Sequence, residues 1–290
     1  DDCPPGGLRG CKPFYGDVPK DDRDDAGGVS GDIINVRKRK GDKTNMKRNV
    51  SLEEISDGRL YSRNDMVRAD CGGCKGCSDC CHGMGESVIL DPYDAWRLSG
   101  GLGVPFAALL EQKLELHVVD GIILPNLKMD PKTDACGFLN EEGRCSIHGF
   151  RPGVCRLFPL GRYYSEEAGK KEFHYFLQIH ECPMPNKTKV KVNRWVDTPD
   201  LARYETYVTR WHYFLDAVEK KLPGMEEEQV RNANLLILKL FFLKEYEPED
   251  FYGQFETRMQ IAEEAFERRS RSDCVHEQVA KRIANVRFTN

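Results

Sequence analysis

Nine of the twelve cysteines fall between residues 71 and 182, and five of those occupy eleven residues as Cys71-x2-Cys74-x2-Cys77-x2-Cys80-Cys81. Ordinary buried thiols do not crowd in this way, so the run must be accommodated by cross-linking or by ligation. Disulfides at such density belong to small extracellular scaffolds that lack a core. This chain has 290 residues, of which 40% are hydrophobic, enough to build a core without staples. The adjacent pair Cys80-Cys81 is also awkward for simple pairing. The expectation is therefore a polynuclear metal or iron–sulfur centre.

Cysteines three residues apart on a tight loop bring their sulfurs to one side, as in the ferredoxin run that a distant cysteine before proline completes. Cys74, Cys77 and Cys80 supply such a run, and Cys182-Pro183 supplies a remote partner. With Cys81, Cys136, Cys145 and Cys155 the thiols reach eight, the number needed by two [4Fe-4S] clusters; Cys71 is then the spare one. Four thiolates suit tetrahedral zinc equally, so zinc remains the alternative. Neighbours such as Cys80 and Cys81 should point apart and serve different centres. His82 and His148 are candidates to replace a thiolate, while Arg151, Arg156 and Arg162 would offset the negative charge of the centre. Cys3, Cys11 and Cys274 are isolated and stand outside this group.

The remaining chemistry is bounded by what is missing. There is no Gly-rich phosphate loop, His-Glu-x-x-His helix, serine nucleophile elbow or dinucleotide fingerprint, so catalytic residues cannot be assigned. The longest apolar stretch, Leu235 to Leu243, contains Lys239 and is too short for a bilayer. With no basic-then-apolar leader either, a cytoplasmic location is expected. The basic run at Arg37-Lys38-Arg39-Lys40, Lys43, Lys47 and Arg48 lacks interleaved aromatics and follows an acidic segment, which argues against nucleic acid. A protein substrate or a redox partner fits better.

Around the cysteines the local signals are mixed. Ser87–Leu90 reads as extended, Asp91-Pro92 as a helix start through about Leu98, and Pro105 to about Leu114 as a second helix. Leu116–Leu124 reads as a hairpin about Asp120-Gly121, and Phe158–Tyr164 with Glu172–Ile179 as a second strand pair. Beyond Leu201 the apolar residues recur at helical spacing in three segments: Leu201–Val218, Glu226–Lys244 and Phe251–Phe266. The expected fold is α+β, a small cysteine-rich module with short antiparallel strands packed against a C-terminal helical bundle. Its parts are an acidic then basic arm at 1–70, a cysteine module at 71–198 and a helical region at 199–290.

Three stretches together resemble a known family: Cys74-x2-Cys77-x2-Cys80-Cys81, Cys136-Gly-Phe-Leu139, and Cys145 through Arg151-Pro152, Cys155-Arg156 and Phe158-Pro159. They are similar to the YkgJ-type cysteine-cluster proteins, described as zinc- or iron-chelating domains. Flagellin lysine N-methylases carry a related cluster, and that resemblance implies methyl transfer from S-adenosylmethionine to protein lysines as one activity. The functional expectation is iron–sulfur binding that serves redox or protein-modification chemistry, with a zinc-binding structural protein or a lysine methyltransferase as the alternatives.

Overall fold

A computed structural model describes residues 32–34, 51–74 and 77–269. Cys3, Cys11, Cys274 and the basic run at 37–48 lie outside the described residues. The first elements are β1 (Asp32–Ile34), α1 (Leu52–Ile55), β2 (Ser56–Tyr61) and β3 (Met66–Asp70). Within residues 51–70, β2 and β3 enter two different sheets.

Next comes α2 (Pro92–Leu102). Asp91 starts it by accepting from the Asp94 amide while the Asp94 side chain returns to the Asp91 amide, a reciprocal cap that satisfies two orphan donors. A short helix, α3 (Phe106–Gln112), leads into the hairpin of β4 (Leu114–Val119) and β5 (Ile122–Leu127). The hairpin turns at Asp120 and Gly121 with φ of 52° and 80°, the primed geometry that matches strand twist. Ser87–Leu90 runs extended along β5, with the Leu90 amide donating to Pro125 and the Leu127 amide to Val88.

After the later cysteines, α4 (Gly153–Leu157) precedes β6 (Leu160–Glu167) and β7 (Lys170–Gln178). These two strands reach further than the hydrophobic pattern predicts. The polar stretch at 165–171 is strand, because Glu166 faces Lys171 and Glu167 faces Lys170 across the pair. Ala168-Gly169 alone makes the turn. The four-stranded sheet runs β1-β6-β7-β2, every pair antiparallel. β8 (Thr188–Lys191) pairs with β3 and passes into α5 (Val192–Val196).

The last third is helical: α6 (Leu201–Lys221), α7 (Glu227–Leu238), a π turn (Lys239–Leu243) and α8 (Phe251–Arg269). Tyr204, Tyr207, Trp211, Leu215 and Val218 of α6 and Phe255, Met259 and Ala262 of α8 are all buried, as their spacing predicts. Rings interlock at the centre, with Tyr207 and Phe255 edge-to-face at 4.6 Å, and Tyr93 of α2 against Phe251 at 5.1 Å. Full burial of each such side chain is worth about 1.5–3 kcal/mol. One hydrophobic cluster carries Leu98, Phe138, Ile147 and Leu157 together with Phe241 and Phe255. The fold is thus α+β, short antiparallel strands packed against a C-terminal helical bundle. Among the described residues no helix is long and apolar enough to cross a membrane.

Candidate thiol site

The cysteine run begins where β3 stops. Asp70 turns its carboxylate back to accept from the Gly72 amide at 2.9 Å, and the chain then passes through left-handed backbone at Gly72, Gly73 and Cys74, with φ of 70°, 81° and 54°. Two glycines take that conformation without cost; Cys74, which carries a Cβ, does not. The turn folds Cys71 onto Cys74 until their Sγ atoms are 3.2 Å apart, within hydrogen-bond reach of each other. The Cys74 carbonyl is held from two sides, by the Cys77 amide at 3.1 Å and by Arg144 Nη1 at 2.7 Å. Burial, the hydrogen bond with Cys71, and the charges of Cys71, Cys80 and Cys182 push the Cys74 thiol up to about 12.

A separate 3-10 turn, Asp79–Cys81, carries the adjacent pair. Cys81 is fixed through its carbonyl, which accepts from the Cys136 amide at 2.7 Å, and the short bridges His82 to Ala135 and Leu139 to Cys145 line up the later cysteines beside it. A hydrogen bond from Cys81, aided by the charge of Arg151, brings the Cys80 thiol down to about 7 against the cost of burial. The same hydrogen bond and burial drive Cys81 strongly upward. Burial raises Cys136, Cys145 and, most of all, Cys155 on α4. All nine thiols from Cys71 to Cys182 are free and half-buried.

The sulfurs do not converge as a cage. Among the described residues no group of three or more His, Cys, Asp or Glu side chains could hold a metal ion. The expectation that Cys71, Cys74, Cys77, Cys80, Cys81, Cys136, Cys145, Cys155 and Cys182 bind two [4Fe-4S] clusters, or zinc in their place, is corrected accordingly. So are the functional reading as an iron–sulfur or zinc protein and the description of the thiols as a metal-binding cluster. The reason is local geometry. Left-handed backbone closes Cys71 on Cys74, and a second, independent turn carries Cys80 and Cys81, so the run is divided where regular spacing suggested one wrapped loop.

The flanking residues also settle differently from one another. Arg151 donates from Nη1 to His148 Nε2 at 2.7 Å and contributes charge at Cys80, Cys145 and Cys155. Burial and the nearby charges of Arg151 and Arg144 lower the affinity of His148 for a proton. His82 turns its Nδ1 to the Ser78 carbonyl at 3.0 Å. Arg156 and Arg162 lie in the interior: Arg156 Nη1 donates to the Arg151 carbonyl at 2.6 Å, Nε to Thr198 at 3.2 Å, and Arg162 Nη2 to the Tyr204 hydroxyl at 2.6 Å. The Asp94 carboxylate, 3.8 Å from Arg156, accepts from the Gly153 amide at 2.7 Å. These groups pin α4, and Cys155 with it, to α2 and α6. Asp70 and Arg144, which shape the first turn, carry no motif that would have singled them out.

A family model, CxxCxxCC, described as "Putative zinc- or iron-chelating domain", matches residues 73–183. That part of the chain is therefore a CxxCxxCC domain of the YkgJ type. The chelating role in the description does not fit the donors as they stand in this chain. Searches of curated proteins and of solved structures return no match.

Proposed function

We propose that the CxxCxxCC segment is a thiol–disulfide exchange module in which Cys71 and Cys74 form the working dithiol. The observation that carries this reading is the 3.2 Å approach of their sulfurs on a Gly-Gly turn. A C-x-x-C pair closed on itself needs only a small movement to become a disulfide. Cys74 holds its proton, so Cys71 attacks first. Its thiolate forms a bond to one sulfur of a partner's disulfide and releases the other as a thiolate, giving a mixed disulfide. With Cys71 so engaged, two of the influences that keep Cys74 protonated are gone. Cys74 then loses its proton to the released thiolate and attacks the Cys71 sulfur, so that the Cys71–Cys74 disulfide forms, the bond from Cys71 to the partner breaks, and the partner's remaining sulfur leaves as a thiolate that is protonated by water. The chain ends oxidised by two electrons, and the partner ends as a dithiol.

Arg144, on the Cys74 carbonyl, would position the turn in both states. A reducing cytoplasm is the compartment in which nine thiols stay free between turnovers, and disulfides there are transient and catalytic. The partner is accordingly a protein or peptide disulfide. The test is equilibration of the purified chain with oxidised and reduced glutathione, followed by peptide mapping. A cross-link between Cys71 and Cys74, absent in Cys71→Ser, is expected before any other pair forms. Another pair oxidising first would overturn the assignment, as would iron or zinc retained in fixed ratio to the chain and released by Cys71→Ser.

A further inference from the structure

The β4–β5 hairpin is a sheet of its own, and among the described residues no third strand lies on the outer side of β4. The register fixes which backbone groups stand on that side. Val119 and Ile122 flank the two-residue turn as a hydrogen-bonded pair, and the ladder alternates from there. Val118 with Ile123, and Leu116 with Pro125, are therefore pairs whose backbone groups point out of the hairpin. On β5 those outward groups are used. The Leu90 amide donates to the Pro125 carbonyl at 2.8 Å, the Leu127 amide to Val88 at 3.1 Å, and the Ile123 amide to Asn234 Oδ1 at 2.6 Å. On β4 the matching amides and carbonyls, those of Leu114, Leu116 and Val118, line an open edge.

An open edge is a template for another strand, and proteins usually blunt it with a bulge, a lysine or another charge. Other strands of this molecule are treated in that way. β2 and β3 each shift register against their partners, and β8 carries Lys189 and Lys191. β4 instead keeps one register over all its pairs and leaves Leu116 46% and Val118 59% exposed. Lys113, which precedes the strand, is turned aside: its Nζ donates to the Gly137 carbonyl at 2.8 Å.

The strand's own sequence says what fits it. Laid antiparallel against a two-fold copy of itself and centred on Leu116, β4 sets Leu116 opposite Leu116 and Leu114 opposite Val118 as hydrogen-bonded pairs, so the outward amides and carbonyls meet. The same register sets Glu115 opposite His117 of the other copy, twice over. Within one chain His117 Nε2 already lies 3.0 Å from Glu115 Oε1, and both side chains are partly exposed, so the two-fold joins four groups with acid and imidazole alternating. Centring the pair on Glu115 or on His117 would oppose like residues and lose that match. We propose that β4 is a pairing edge through which two copies of this chain associate as an antiparallel, two-fold symmetric dimer. A six-residue edge is small, so the dimer is weak and forms in response to concentration. Nothing in this inference depends on the thiol chemistry.

The experiment is analytical ultracentrifugation of the full chain over a concentration series, with a thiol reductant present so that no disulfide contributes. A monomer–dimer equilibrium with a Kd below about 500 µM is expected. Leu116→Lys, at an exposed position where the two lysines would meet on the axis, should raise that Kd by about tenfold or more while the thermal midpoint of the dilute chain holds. Glu115→Lys and His117→Glu should each weaken association, and the two together should restore it, because opposite charges again face each other. Amide exchange read by NMR supplies the second measurement. The Leu116 and Val118 amides should gain protection as concentration rises, whereas Glu115 and His117, bonded to β5, are protected throughout. A chain that stays monomeric up to about 500 µM would overturn the proposal. So would a wild-type Kd in folded Leu116→Lys, a folded double variant no better than the single ones, or protection of the Leu116 and Val118 amides at every concentration, which would mean that something other than a second copy covers the edge.

Discussion

Cys80 and Cys81 are adjacent in the chain, yet their thiols move in opposite directions. The proton of the pair resides on Cys81, whose hydrogen bond stabilises the Cys80 thiolate, and Arg151 adds its charge; Cys80 falls to about 7 as a result. Cys81 is driven up by that same bond and by burial. Iodoacetamide reacts with thiolate only, so its rate at each residue follows the thiolate fraction. Labelling of Cys80 should therefore rise with a midpoint near pH 7, while Cys81, Cys136, Cys145 and Cys155 react only at clearly higher pH. Arg151→Ala should move the Cys80 midpoint upward. Peptide-resolved mass spectrometry across a pH series checks both statements, and a common midpoint for all five residues would refute them. Spacing made these residues stand out, but the direction of each thiol depends on hydrogen bonds and burial that no one-dimensional pattern encodes.

At the scale of elements, α2 carries two consecutive glycines with opposite roles. Gly100 meets nothing, so Gly100→Ala should stabilise the chain by about 0.5–1 kcal/mol through helix propensity alone. Gly101 receives the Phe150 ring from the segment between Cys145 and Cys155, and Gly101→Ala should cost about 1–3 kcal/mol as that ring is displaced. Urea denaturation of the two variants beside the wild type measures the pair; a stabilising Gly101→Ala would show that the ring does not dock there. The start of α2 was legible because Asp91-Pro92 is a helix signal in its own right, and the β4–β5 hairpin because Asp-Gly between apolar runs permits little else. α6 and α8 followed from periodicity. β2 was not legible, since Ser56–Tyr61 buries only its two ends and has Gly58 at its centre; its place is set by β7, which lies over a hundred residues away. The cysteines failed for a related reason. Regular intervals fix how far apart sulfurs are along the chain, but two separate turns decide which of them meet.

For the molecule as a whole, the decisive fact is that the cysteine segment and the helices bury their apolar groups in one cluster. Phe138, Ile147 and Leu157 from the cysteine segment share it with Phe241, Phe255 and Met259, and Cys136, Cys145 and Cys155 pack against its edge. The Asp94, Arg156 and Arg162 network ties the same two parts together, and breaking one side of such a buried pair leaves an uncompensated charge. Neither part can open without exposing surface of the other, so unfolding should be cooperative. Phe255 is the sharpest probe, fully buried and in ring contact with Tyr207, Trp211, Phe241 and Phe251. Phe255→Ala should cost about 3–5 kcal/mol. The residue lies on α8, remote in sequence from every cysteine in the site, and that remoteness gives the experiment its force. In urea, exposure of Cys145 and Cys155 to a thiol reagent should coincide with loss of the helical circular dichroism, and Phe255→Ala should shift both midpoints down together. Thiol exposure at lower urea with the helical signal intact would instead mean that the cysteine segment opens by itself, and that the shared core does not couple the two.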